Sequence, residues 1–135
     1  MQKWQIEIDT LYKARHYKHF KNLLNVESYL KINLSYKLRR VLSNFRCSSH
    51  DLMIEKGRHL AIDRNLRYCS LCQSHDITVV EDEFYFFFDC KAYLHLHEIF
   101  FKQTWLSHRN LNMFYSVLSS TSDSDIIQIA RFLQT

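Results

Sequence analysis

A chain of 135 residues with one glycine and no proline cannot turn sharply many times, because those two residues supply the φ values that tight turns use. This favours a mainly α fold around a single core. No window of about 18 apolar residues occurs and charges interrupt MQKWQIEIDTLYKAR, which argues against a spanning helix or a secretory leader. The expectation is a protein that is intracellular, nuclear or cytoplasmic, and not secreted, with its four cysteines kept as thiols.

The formal charge of +4 hides an asymmetry. Residues 1–68 carry fourteen Lys and Arg against six acids, a net of +8, whereas residues 69–135 carry four against eight, a net of −4. The first part suits contact with phosphate and the second does not. Two solvated faces of opposite sign are the plainer explanation of the same numbers.

In chain order, Trp4, Ile8, Leu11 and Tyr12 recur at helical spacing and predict an amphipathic helix from about Gln2 to about Lys13. RHYKHFKN, Arg15 to Asn22, interleaves Tyr17 and Phe20 with bases; such rings either stack on nucleobases or tuck into the core. Val26 to Ile32 reads as a short helix. Ser35 is placed to cap a longer one, YKLRRVLSNF, with Leu34, Leu38, Val41, Leu42 and Phe45 as its buried stripe. Lys37, Arg39, Arg40 and Arg46 then fall on other faces. From Leu52 to Leu60 an extended strap turning at Gly57 is expected, with Cys47 ending the preceding helix as a small buried side chain. A Cys47/His50 pair is a possible addition to a metal site.

Tyr68 to Cys90, YCSLCQSHDITVVEDEFYFFFDC, holds three of the four cysteines. Cys69 and Cys72 form a Cys-x2-Cys turn, and Cys90 follows after seventeen intervening residues, a spacing suited to chelating one metal ion. ITVV has β-branched strand content. EDEFYFFFDC fits either a strand, by its aromatics, or a helix start, by its acids. Lys91 to Trp105 predicts a helix buried on two sides, Asn110 to Ser120 another, and Asp125 with Gln128 caps a last helix carrying Ile126, Ile129, Ala130 and Leu133.

Taken in order, YKHFKN, ESYL, RRVLSNFRCSSHDLMIEKGRH, IDRNLRYCSLC and VEDEFYFFFDCKAY resemble the region downstream of the reverse transcriptase in non-LTR retrotransposon polyproteins of invertebrates. The resemblance runs from about Tyr17 to about Tyr93. It implies a zinc-binding segment of pattern Cys-x2-Cys, spacer, His-x4-Cys, onto which Cys69, Cys72 and Cys90 map while the histidine position holds Tyr85. Phenol is a poor zinc ligand, so His75 or His95 is the alternative fourth ligand. The resemblance also implies a truncated copy, since no polymerase aspartate pair is recognisable and the parent polymerase is missing.

The resulting expectation is one domain over 1–135. Its parts are a basic helical part (1–68), a Cys-rich zinc-like segment with a short β-hairpin or loop (69–90) and C-terminal helices (91–135). It binds one zinc ion and RNA or DNA, through Lys37, Arg39, Arg40, Arg46, Arg58, Arg64 and Arg67. Catalysis is not expected: the His-x-Glu of zinc deaminases and the βαβ context of a redox Cys pair are both missing. The alternative is a non-functional or protein-interaction remnant of such a polyprotein, its aromatic runs once packed on a larger partner.

Overall fold

The structure, a computed structural model, describes residues 15–20 and 27–134. The helix expected over Gln2–Lys13, the end of RHYKHFKN beyond Phe20, the Phe20 ring and Val26 lie outside the described residues. The fold is mainly α. Its helices are α1 (Tyr17–Phe20), α2 (Ser28–Lys31), α3 (Tyr36–Arg46), α4 (Met53–His59), α5 (Ser70–Gln73), α6 (Leu94–Phe100), α7 (Gln103–Ser107), α8 (Leu111–Leu118) and α9 (Asp123–Gln134). Among the described residues the only β pairing is one antiparallel bridge, Tyr68 to Val80. The expected hairpin is thus reduced to a pinch that closes a loop. No described helix is long and apolar enough to cross a membrane.

The chain divides into two compact units, residues 1–49 with 115–135, and residues 50–114. In the first, α3 packs along α9. Ser35 caps α3 as expected, its Oγ accepting from Leu38 N at 3.3 Å. Leu42 and Phe45 of α3 are buried, as are Ile126, Ile129, Ala130 and Phe132 of α9, so each helix has an apolar side at 3–4 residue spacing.

Arg46 departs from its expected place on a wet face: it is 5% exposed. Its guanidinium pairs with Glu27 at 3.2 Å, donates to the carbonyl of Leu118, and lies over the rings of Tyr17 and Tyr29. Tyr17 donates to the same Glu27 at 2.6 Å, and Tyr29 shares a 3.0 Å hydrogen bond with Ser43. A buried cation survives when its charge is countered, and here Glu27 and the Leu118 carbonyl counter it.

The second unit is organised by an aromatic cluster. Phe87, Phe88 and Phe114 are fully buried, and Phe87 lies 4.7 Å from Phe101 and 5.4 Å from Phe114 between ring centroids. The ambiguous run EDEFYFFFDC is neither a strand nor a regular α-helix. Tyr85–Asp89 forms a π turn, entered through Asp82, whose Oδ1 accepts from Tyr85 N at 2.8 Å. The long helix expected over Lys91–Trp105 is broken into a 3-10 turn, α6 and α7, with an extended residue at Phe101. Buried His97 stacks on Phe101, and burial together with the Arg109 charge pushes its basicity down to about 4.

Two further expectations change in this region. Leu52–Leu60 is not a strap: Met53–His59 is helical and Gly57 sits inside α4. A Cβ on Gly57 would stand 2.5 Å from Cγ of Arg67, so the only glycine of the chain makes room for an arginine stem. Cys47 does cap α3 at its C-terminus but is exposed rather than buried.

With its glycine so used, the chain ends helices by other means. α3, α4 and α5 each close with the paired hydrogen bonds of a Schellman motif, Ser49 N to Asn44 O, Ile62 N to Gly57 O and Ile77 N to Cys72 O being the long ones. The left-handed residue in each is Ser48 (φ 57°), Ala61 (φ 56°) or Asp76 (φ 61°). Glycine is usual at such a position, because a Cβ there crowds the backbone.

Candidate metal centre

Cys69 stands before α5 and Cys72 within it, so one short turn sets the Cys-x2-Cys pair on one side. The bridge fixes that turn: Cys69 N donates to Val79 O and Glu81 N to Arg67 O, both at 2.9 Å. Cys90 arrives from the other direction, at the exit of the π turn, where its N–H donates to Tyr85 O at 2.7 Å. The three thiols are free, buried, and have their sulfurs within 4.8 Å of one another.

Cys90 Sγ is 3.8 Å from Cys69 Sγ and 3.7 Å from Cys72 Sγ. Around a tetrahedral ion with metal–sulfur bonds of about 2.3 Å, the sulfur–sulfur edge is about 3.8 Å. The residues present therefore fit three corners of a tetrahedral thiolate site and can hold a metal ion. Ile77, Tyr85 and Tyr93 pack against the cluster and shield it.

The electrostatics of the three sulfurs differ. Burial pushes the Cys69 thiol up, and the nearby Glu81 carboxylate adds to this while the Cys72 backbone N–H opposes it. Burial likewise raises Cys90, against a hydrogen bond from the Ala92 backbone. Cys72 goes the other way: burial would raise it, but hydrogen bonds with Tyr85, Cys90, Cys69 and the Lys91 backbone N–H together lower it. Backbone N–H groups aimed at sulfur are the usual outer support of a thiolate metal site. A cation is the missing charge that would let all three sulfurs ionise in a dry pocket.

The expected fourth ligands are elsewhere. Cys90 does precede α6, but His95 on that helix is exposed, and so is His75 in the turn after α5; neither belongs to the sulfur group. His50 is also outside it, its Nε2 bonded to Glu83 at 2.9 Å. Glu81 accepts from Met53 N at 2.8 Å and Glu83 holds His50, so the acids of EDE anchor the start of α4 around the site. Of the side chains packed on the sulfur cluster, Tyr85 brings its Oη to 2.9 Å from Cys72 Sγ.

The seven basic residues picked from sequence separate into two groups. Lys37, Arg40 and Arg64 are exposed. Arg46 is enclosed as described. Arg67 donates to Ile62 O and Ile54 O at 2.9 Å each, Arg58 pairs with Glu55 at 2.9 Å, and Arg39 reaches back to Leu34 O at 3.3 Å. The cations the structure uses to brace backbone are thus indistinguishable in sequence from those left in solvent. Tyr17, read as a possible stacking ring, is engaged with Glu27 and Arg46.

Comparison with protein-family models, curated proteins and solved structures found no match.

Proposed function

We propose that this chain is a small zinc-binding module that grips RNA or DNA and has no catalysis of its own. The observation that carries the reading is the group of three buried sulfurs at the edge lengths of a tetrahedral metal site. Zinc suits it because thiolates in a closed, buried pocket are the donor set of structural zinc, and such an ion contributes folding energy directly. The retroelement-like stretch Tyr17–Tyr93, which contains these cysteines, supports an origin beside a polymerase in an intracellular setting. The exposed Lys37 and Arg40, three residues apart on an acid-free helix, support a phosphate contact.

The deciding experiment is metal analysis of protein purified without added zinc, followed by oligonucleotide binding at two salt concentrations. One zinc per chain is expected, with affinity that falls steeply as salt rises and a salt slope reduced by about one for each of Lys37→Ala and Arg40→Ala. Metal-free, fully folded protein would overturn the metal half. Binding that is absent at low salt, or insensitive to salt, would overturn the nucleic-acid half and favour the protein-interaction remnant.

A further inference from the structure

We infer that Tyr85 supplies the fourth donor of the metal centre, making it a site of three sulfurs and one phenolate oxygen. The inference rests on the metal reading of Cys69, Cys72 and Cys90 and adds the ligand that reading lacks.

Its first support is local geometry. Tyr85 lies five positions before Cys90, and in a regular α-helix such a pair points about 140° apart. The π turn changes this: its closing hydrogen bond runs from Cys90 N to Tyr85 O at 2.7 Å and brings both residues to one side. π turns of this kind occur frequently at functional sites. The phenol oxygen then reaches 2.9 Å from Cys72 Sγ, while the ring packs on the sulfur cluster.

The second support is the lack of a better donor among the described residues. His75 and His95 are exposed and outside the sulfur group. Glu81 reaches the Cys69 thiol, but one of its oxygens is taken by Met53 N at 2.8 Å and the carboxylate is not part of the cluster. Around a tetrahedral ion with bonds of about 2.3 Å to sulfur and about 2.1 Å to oxygen, the sulfur–oxygen edge is about 3.6 Å. Tyr85 Oη therefore has to withdraw from Cys72 by less than an ångström.

Loading a divalent ion forms three metal–sulfur bonds and one metal–oxygen bond. The three thiol protons and the phenol proton pass to solvent, and no redox change occurs. The ion class implied is a divalent borderline ion that accepts mixed sulfur and oxygen donors, zinc or cobalt(II).

The test uses the full chain under anaerobic conditions, titrated with cobalt(II) and then zinc. Sulfur-to-cobalt absorption reports the thiolates, and the near-ultraviolet difference band of tyrosinate reports the phenol. Wild type is expected to show both. Tyr85→Phe should lose the tyrosinate band and bind at least about tenfold more weakly; Tyr85→His should keep the fold, lose the band and bind zinc more tightly. Cobalt binding without a tyrosinate band, or a band that persists in Tyr85→His, would overturn the phenol ligand while leaving the centre standing. Failure of wild type to take up either ion would overturn the centre, and the phenol ligand with it.

Discussion

Arg46 in the first unit and the Cys69, Cys72 and Cys90 sulfurs in the second are all buried groups that carry or can take charge, and their surroundings differ in one respect. Around Arg46 the chain provides the counter-charge itself, in Glu27, together with the Leu118 carbonyl and two tyrosine rings. Around the sulfurs it provides hydrogen bonds and shielding side chains, but the nearest ionisable neighbours are a carboxylate and a phenol. A self-sufficient buried charge needs nothing from solution, whereas three clustered sulfurs with acidic neighbours could ionise together only beside a cation. The contrast separates a bracing arginine from a ligand pocket, although both read in sequence as polar residues among aromatics.

Removing metal should break the comparison most severely. A strong chelator is expected to unfold the Cys-bearing unit, a loss of several kcal/mol or more by analogy with structural zinc sites. Circular dichroism and amide exchange on residues 50–114 would show this, with recovery on added zinc.

Next in size is Arg46→Ala, which leaves Glu27 buried without its partner and should cost about 3–5 kcal/mol in a urea melt. Metal content should stay unchanged. Arg46→Ala together with Glu27→Gln should recover part of that loss, as expected when the penalty is an uncompensated charge.

The smallest effect sharpens the picture of how the Cys-bearing unit is built. Ala61→Gly relieves a Cβ held at φ 56° in an exposed turn and should stabilise by about 1 kcal/mol, read as a raised melting temperature. A destabilisation would show that Ala61 does not hold that backbone angle in solution.

Much of this was legible in the residues, for reasons that can be named. Ser35 and the stripe of Leu34, Leu42 and Phe45 follow from capping and the helical period, which are local properties. The three cysteines follow from spacing, since a Cys-x2-Cys turn needs little help to close. What stayed hidden depends on distant partners. The helix over Met53–His59 is fixed by Glu81, whose side chain accepts from Met53 N and whose carbonyl accepts from Ile54 N. The approach of Tyr85 to Cys72 depends on a π turn, for which an aromatic run carries no recognisable period. The burial of Arg46 depends on Glu27 and Leu118, nineteen and seventy-two residues away in the chain.

Gly57 and Arg67 lead to a last consequence. The Arg67 stem fills the space that a side chain at 57 would need, and its guanidinium ties Ile54, inside the helix, and Ile62, just beyond it, to the strand-like entry of the cysteine turn. The two positions therefore behave as one unit of sequence variation. A side chain gained at 57 is tolerated only where residue 67 shortens, so a paired library at 57 and 67 should return a diagonal of small–large combinations rather than a square of independent choices.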